Sequence, residues 1–140
     1  IRRAFSALPF AYAPYSHFHV AAALLCSDGS IVTGVNVENA SYPAGICAER
    51  TAVCKAVSEG KRSFQAIAIA GCPESWLSTA DYQELRLPDH CPPCGICRQV
   101  MREFSDPDSF EILLPKSPEA YQAYRLSELL PESFGPENLS

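Results

Sequence analysis

Short apolar runs and segments of helical spacing alternate along this 140-residue chain. Residues 19–26 and 31–37 are apolar, partly β-branched runs, and Ser-Asp-Gly-Ser lies between them. Because Asp-Gly tolerates the positive φ of a tight turn, the two runs predict a β-hairpin. Residues 65–71 form an apolar run without gaps, which is typical of a strand buried on both faces, and residues 110–115 predict another buried strand.

The pattern predicts helices at three places. Residues 1–8 have the composition of the end of a helix, which Pro9 stops. From Cys47 onwards, small apolar residues recur at helical spacing until Gly60 ends the helix. The third helix covers residues 94–104. Its predicted apolar face consists of Ile96, Val100 and Met101.

Two segments have no clear period. Residues 72–91 are polar and interrupted by prolines, and they predict an inserted surface loop with one helical turn over 79–85. Residues 120–131 suit a strand as well as a helix. Since helices alternate with buried strands, we expect one α/β domain over residues 1–140, with helices on both sides of a sheet.

Composition limits the classes of partner. The 47% hydrophobic content is enough for one core. The chain has 11 Lys and Arg against 16 Asp and Glu, a net charge of -5, so a nucleic acid polymer is not an expected partner. No apolar stretch reaches the roughly 18 residues of a membrane helix, which predicts a soluble protein without a membrane partner. The chain begins at Ile1 without methionine, which is typical of a trimmed sequence and leaves a lost targeting peptide open.

The seven cysteines indicate a reducing compartment, because an odd number in a chain of this composition does not suit a disulfide scaffold. We therefore expect a cytoplasmic protein, with the nucleus as a further location. Cys26 and Cys54 lie in an apolar strand and on an apolar helix face, which predicts buried core cysteines. Cys72 and Cys91 bracket the predicted loop, and a disulfide between them is the alternative to two free thiols.

Three other cysteines and one glutamate form a candidate metal site. Cys94 and Cys97 are three residues apart at a helix start, so their sulfurs project from one side. Cys47 also lies at a helix start, where partial positive charge stabilises a thiolate. Three thiolates would bind zinc and leave one tetrahedral position open, as in catalytic sites. Glu49, two residues after Cys47, would then carry a proton from water to substrate.

The Cys94–Cys97 pair has two other interpretations, a redox dithiol and half of a closed structural zinc site. A closed site would make the protein a silent, zinc-stabilised binding module. It needs a fourth ligand, and none has a suitable spacing. The candidates for that ligand are His17, His19, His90, Cys26, Cys54, Cys72 and Cys91.

The layout matches zinc deaminases, in which a glutamate that is not a ligand acts as the general acid and base. Four segments carry a closer resemblance: "PYSHFHVAAALL", "GVNVENASYPAGICAERTAV", "PCGICRQVMREF" and "ELLPESFGPENL". In this order they resemble the small, tetrameric class of cytidine deaminases, over nearly the whole chain except residues 72–91. The resemblance implies a three-layer α/β/α fold around a five-stranded mixed sheet. It also implies a homotetramer with shared active sites and one zinc per subunit, held by Cys47, Cys94 and Cys97, with Glu49 as proton carrier.

The resemblance assigns substrate contacts to six residues: Phe18, Asn36, Glu38, Tyr42, Ala48 and Phe134. Asn36 and Glu38 match residues that hold the ribose hydroxyls, although by pattern alone they suit a solvated strand end. Phe18 matches an aromatic residue that packs on the pyrimidine, and by pattern alone it suits the core. Tyr42 and Phe134 match residues that reach a neighbouring subunit's site.

Arg50 matches an arginine that hydrogen-bonds the cysteine ligands in this family. Three thiolates more than neutralise a zinc dication, and a cation beside the sulfurs would withdraw part of that charge. Two residues depart from the family pattern. His19 stands where a proline is common, and Pro92 stands where a small polar residue is common, in a backbone stretch expected to contact the base amino group.

The expected reaction is hydrolytic deamination of cytidine and 2′-deoxycytidine to uridine and 2′-deoxyuridine, by zinc-activated hydroxide with Glu49 as proton shuttle. The first rival is a deaminase of blasticidin type, a family that lacks the ribose-binding pair matched here by Asn36 and Glu38. A polynucleotide-editing deaminase suits the acidic chain less well.

Overall fold

The computed structural model describes residues 1–78, 81–82 and 84–140. A five-stranded sheet with the strand order β2-β1-β3-β4-β5 lies at its centre. In chain order the elements are α1 (Arg2–Ala7), β1 (Phe18–Cys26), β2 (Ile31–Val35), α2 (Ala48–Ser58), β3 (Phe64–Pro73), α3 (Gly95–Phe104), β4 (Glu111–Pro115), β5 (Tyr121–Arg125) and α4 (Leu126–Leu129).

The predicted hairpin is confirmed. β1 and β2 pair antiparallel from Ala21 opposite Val35 to Leu25 opposite Ile31, and Gly29 in the turn has a φ of 88°. β1 and β3 are also antiparallel, whereas β3 and β4 are parallel, so the sheet is mixed. A parallel pair needs a crossover connection, and α3 lies in the chain between these two strands.

Helices cover both faces of the sheet, which confirms the three-layer fold. Side chains of a strand alternate between faces, so neighbouring residues of β1 and β3 enter different cores. One core joins α2, α3 and α4 to the sheet through residues that include Ala22, Leu24, Ile67 and Ile69. The other core joins α1 to residues that include Ala21, Ala23, Ala68 and Ala70. Within the described ranges, no helix has the length and apolarity to cross a membrane.

Residues 120–131, which suited a strand or a helix, contain both. β5 ends at Arg125 and α4 begins at Leu126. The predicted loop over 72–91 begins inside β3, and a short 3₁₀ helix follows at Glu74–Ser78. The predicted helical turn over 79–85 includes positions 79, 80 and 83, which lie outside the described residues. Further on, Leu85 and Leu87 are buried in the core beneath α1.

Two predictions about individual side chains need correction, those for Cys54 and Ile96. Cys54, predicted to be a core cysteine, is exposed, because it lies on the side of α2 that faces away from the sheet, whereas Cys26 is buried as predicted. Cys72 and Cys91 are free thiols. They pack on opposite faces of the sheet, Cys72 in the core of α1 and Cys91 against the core of α2 and α3, which excludes the disulfide alternative. Ile96 is exposed rather than packed with Met101.

Gly34 lets α2 approach the sheet closely. A Cβ at this position would lie 2.6 Å from the Ala48 carbonyl oxygen and would also overlap the Ala52 backbone nitrogen. These are backbone atoms of the first turns of α2, so they cannot move aside as a flexible side chain can. The missing side chain of Gly34 therefore sets the position of the amino end of α2, and with it Cys47 and Glu49.

We expect Gly34→Ala to lower the free energy of unfolding by about 3 kcal/mol, because overpacking forces the backbone to shift. Thermal or urea denaturation measures this change. Gly29→Ala is the matched control, since a Cβ there meets no atom within 4 Å and the cost is limited to the positive φ, about 1 kcal/mol. Equal losses in the two variants would contradict the close approach at Gly34.

Candidate active site

Three sulfurs from two helix starts converge. Cys47 is the residue before the first turn of α2, Cys94 is the residue before the first turn of α3, and Cys97 lies in that turn. The three Sγ atoms all lie within 4.8 Å of one another. The predicted meeting of these two distant segments is confirmed as geometry. Their role as ligands stays a prediction.

The three thiols fit a zinc ion. Tetrahedral zinc with Zn–S bonds of about 2.3 Å places its sulfurs about 3.8 Å apart. The Sγ atoms of Cys47 and Cys94 are 3.9 Å apart. Among the described residues, the group that could hold a metal ion consists of these two cysteines and Cys97. A group of three ligands favours the open site over the closed, four-ligand alternative.

The protonation of the thiols depends on their surroundings. Burial raises the pKa of Cys94, but hydrogen bonds from Cys97, Cys47 and the Ile96 backbone outweigh it, so the pKa is lowered overall. The pKa of Cys97 is raised, first by burial and then by the negative charges of Glu49 and Cys47. The expectation that a helix start favours the thiolate therefore holds for Cys94. Cys97 needs the metal itself to displace its proton.

Glu49 lies beside the thiols in the first turn of α2 and is only 4% exposed. The Cys97 thiol donates to Glu49 Oε2 at a distance of 3.8 Å. Burial raises the pKa of Glu49, and hydrogen bonds from its own backbone and Cys97, together with the charge of Arg50, oppose the rise. A carboxyl group in this environment can both accept and release a proton.

Arg50 contacts the thiols as the resemblance implied. Its Nη2 donates to Cys47 Sγ at 3.5 Å, and this hydrogen bond is the largest cause of the raised pKa of Arg50. The Nε of Arg50 is buried and has no hydrogen-bond partner among the described residues. The guanidinium group is thus held against the sulfur of Cys47 rather than in solvent.

A cavity of about 660 Å³ opens beside the cluster. Its wall includes four of the six predicted substrate residues, together with Cys47, Cys94 and Glu49. These four residues are Asn36, Glu38, Tyr42 and Ala48. The other two, Phe18 and Phe134, are outside the wall of this cavity and are 38% and 57% exposed. Phe18 lies next to Gly71, on the side from which Cys91 approaches.

Asn36 holds the edge of β1 while it lines the cavity. Its Oδ1 accepts from the Val20 backbone N–H at 2.8 Å, and its Nδ2 donates to the Phe18 carbonyl at 2.9 Å. One N–H of the amide remains for another acceptor. Asn36 is therefore more than a solvated strand end, because its side chain hydrogen-bonds the backbone of β1 and lines the cavity.

Glu38 holds the turn at residues 15 and 16 beside the cavity. Its Oε1 accepts from the backbone N–H groups of Tyr15 and Ser16, and its Oε2 accepts from Ser16 Oγ. The Ser16 hydroxyl is the main cause of the lowered pKa of Glu38, so this carboxylate is ionised at neutral pH. Sequence reasoning missed Ser16 and Tyr15, although both line the cavity, because a serine and a tyrosine after Pro14 suit any turn.

The segment before Cys94 forms another part of the wall. Cys91 and Pro92 both line the cavity. Gly71 leaves the space that Cys91 occupies, since a Cβ at residue 71 would lie 2.7 Å from Cys91 Sγ. Burial, followed by the charges of Glu49 and Cys47, raises the pKa of Cys91 to about 12.

We expect zinc to protect Cys94 from alkylation and to leave Cys54 reactive, because both thiols are exposed but only Cys94 belongs to the cluster. Native protein treated with iodoacetamide, with and without a zinc chelator, gives the result by peptide mass spectrometry. Cys26 and Cys72 are buried and should be modified only after unfolding. Equal protection of Cys54 and Cys94, or none at either, would contradict the metal site.

Comparisons with known proteins agree with this geometry. The sequence profile described as the cytidine and deoxycytidylate deaminase zinc-binding region matches residues 1–110. The cytidine deaminase of Halalkalibacterium halodurans is 43% identical over 140 residues, which cover 100% of this chain and 95% of that protein. A probable cytidine deaminase of Dictyostelium discoideum is 45% identical, over 93% of this chain and 78% of its own length. The crystal structure of cytidine deaminase from Burkholderia pseudomallei has a TM-score of 0.79 and 40% identity, covering 96% of this chain and 95% of that one. This chain therefore belongs to the family of zinc-binding cytidine and deoxycytidylate deaminases.

Proposed function

We propose that this protein catalyses the hydrolytic deamination of cytidine and 2′-deoxycytidine to uridine and 2′-deoxyuridine, with release of ammonia. One observation carries the proposal, the cavity in which clustered thiols meet the buried carboxyl group of Glu49. Cys47, Cys94 and Cys97 are the proposed ligands of one zinc ion per chain. When bound, zinc supplies a Lewis acid that lowers the pKa of a water molecule towards neutrality.

Glu49 is the proposed proton carrier. It accepts a proton from the attacking water and donates it to N3 of the pyrimidine ring, which makes C4 more electrophilic. After the oxygen adds to C4, Glu49 takes up the second proton and delivers it to the exocyclic amine. Ammonia then leaves, and the carbonyl group of uridine forms. The burial that raises the pKa of Glu49 suits both steps, because the group must gain and lose a proton in each cycle.

Arg50 is proposed to adjust the charge of the site. Three thiolates exceed the charge of one zinc dication and would make the bound water harder to ionise. The hydrogen bond from Arg50 to Cys47 Sγ withdraws negative charge from one of these sulfurs.

Asn36, Glu38 and Ala48 are proposed to bind the nucleoside within the cavity. The free N–H of Asn36 and the anchored carboxylate of Glu38 offer a donor and an acceptor to the ribose hydroxyls. Phe18 is proposed to pack on the pyrimidine from the side of Cys91 and Gly71.

A homotetramer with shared active sites is the proposed assembly. Tyr42, at the rim of the cavity, is 80% exposed and packs edge-on against Tyr15. Phe134 and Leu139 near the carboxyl end are also exposed. Large apolar side chains exposed around a site are typical of an interface between subunits. Tyr42 and Phe134 are proposed to reach the site of a neighbouring copy.

The free thiols suit a reducing compartment, the cytoplasm or the nucleus.

The family also includes deaminases of deoxycytidylate, so a nucleotide is the second candidate substrate. The charges of the cavity favour the nucleoside. Among the described residues of its wall, Arg50 is the basic one, and its guanidinium group is directed at Cys47. A 5′-phosphate would add negative charge to a cavity whose wall already carries Glu38 and Glu49, and no cation of the described wall is free to pair with it.

We expect Glu49→Gln to lower kcat by about 10²–10⁴-fold and to leave the zinc content unchanged, because the amide keeps the volume of the side chain but cannot carry a proton. The fall of cytidine absorbance and metal analysis of the same sample measure the two effects. Glu59→Gln, at the exposed end of α2, is the matched control and should keep full activity. A Glu49→Gln variant with normal turnover would rule out the proton carrier.

We expect cytidine to be deaminated with a kcat/KM about 100-fold higher than cytidine 5′-monophosphate, because placing like charges together costs several kcal/mol. Ammonia release from cytidine, its 5′-monophosphate and blasticidin S compares the three candidate substrates directly. Glu38→Gln should weaken the use of cytidine and narrow the difference from the nucleotide. Preference for the nucleotide or for blasticidin S would reject the nucleoside assignment.

A further inference from the structure

Arg102 is a buried arginine outside the cavity. It lies in the last turn of α3, two turns beyond Cys94, and is 8% exposed. Its Nε donates to Ser133 Oγ at 2.7 Å, and its Nη2 forms an ion pair with Glu137 Oε1. Burying a charged guanidinium group costs free energy unless its N–H groups are paired. Both partners of Arg102 belong to the segment 133–138 near the carboxyl end.

Gly135 shows how closely that segment is packed on the guanidinium group. A Cβ at this position would lie 2.5 Å from Arg102 Nη2 and would overlap Cζ. The φ of Gly135 is -140°, which any residue adopts, so the backbone conformation does not require glycine. The requirement comes from the volume that the guanidinium group occupies.

Gln99 holds the same segment one turn earlier on α3. Its Nε2 donates to the carbonyl oxygen of Phe134 at 2.8 Å. Ser133 and Gly135, the neighbours of Phe134 on either side, both contact Arg102. The backbone around Phe134 is therefore held at three successive residues, while the side chain of Phe134 remains 57% exposed.

We propose that Arg102 and Gln99 are positioning residues that fix Phe134 in the orientation in which its ring enters the substrate pocket of a second copy of this chain. The proposal rests on the proposed function, which assigns Phe134 to a neighbouring site. α3 thereby serves two sites with one rigid element, since its amino end carries Cys94 and Cys97 and its side holds Phe134 for the partner. Arg102 lies two turns beyond Cys94 and touches none of the three cysteines in its hydrogen bonds to Ser133 and Glu137, so we expect the zinc content to be independent of this contact.

Steady-state kinetics of Arg102→Met and Phe134→Ala test the proposal, alone and combined. We expect each single variant to raise the KM for cytidine about tenfold with a smaller change in kcat, because a misplaced contact removes binding that substrate and transition state share. The double variant should be no worse than Phe134→Ala, because Arg102 acts only through Phe134. Arg62→Met, an exposed arginine, is the matched control and should behave as the unmodified protein.

Further losses in the double variant would overturn the proposal, and so would a normal KM in Arg102→Met when Phe134→Ala is impaired. A normal KM in Phe134→Ala would instead reject the assignment of Phe134 in the proposed function. Zinc content and mass by light scattering should match those of the unmodified protein. If Arg102→Met dissociates the assembly, Arg102 supports assembly and the positioning role is rejected.

Gly135→Ala provides a second route to the same displacement if Arg102→Met fails to fold. Its methyl group should expel the guanidinium group and raise the KM, and Gly135→Ala with Arg102→Ala should restore the space and lose no more than Arg102→Ala alone. Hydrogen–deuterium exchange of residues 133–138 should rise in Gly135→Ala and in Gln99→Ala. Exchange that stays at the level of Arg62→Met would overturn the proposal.

Discussion

The convergence of three sulfurs is the constraint on which the rest of this site depends, because thiolates repel one another unless a cation lies between them. Rigid elements produce it. Gly34 admits the amino end of α2 to the sheet, and Pro92-Pro93 directly precede Cys94, the residue before the first turn of α3. Arg98 fixes the approach to α3, since its Nε donates to the Pro93 carbonyl at 2.8 Å and its Nη1 to the Leu129 carbonyl at 2.6 Å. Thiols held in this way would need little reorganisation to bind an ion.

Two carboxylates share the cavity and differ in their environment. Hydrogen bonds from Ser16 and Tyr15 lower the pKa of Glu38, whereas burial raises that of Glu49. The first is a permanent acceptor at the rim, and the second is suited to exchange protons at the base of the site. Because their surroundings shift the pKa values of the two carboxyl groups in opposite directions, one pocket can combine substrate recognition with acid–base chemistry.

Much of the fold and of the metal cluster could be predicted because the signals are local. Asp-Gly marked the hairpin, and the spacing of Cys94 and Cys97 placed two sulfurs on one side of a helix. The exposure of Cys54 and the packing of Cys72 and Cys91 on opposite faces of the sheet depend on how α2 and β3 are oriented in the tertiary structure. The spacing of apolar residues along the sequence does not determine that orientation. The sequence did not distinguish β5 from a helix, because a strand whose residues are mostly exposed has no alternation of apolar and polar positions. Phe18 and Phe134 lie outside the cavity wall of a single chain, and their positions also depend on tertiary packing that the sequence pattern does not determine.

Gly71 and Cys91 occupy one shared volume behind the wall of the cavity. A side chain at position 71 therefore requires a residue smaller than cysteine at position 91, and the two positions should vary together among relatives rather than independently. Because Cys91 lies three residues before Cys94 in the chain, an unbalanced change at the central strand would be transmitted along the backbone to this proposed zinc ligand. Engineering of this wall for bulkier pyrimidines must accordingly treat the two positions as a pair.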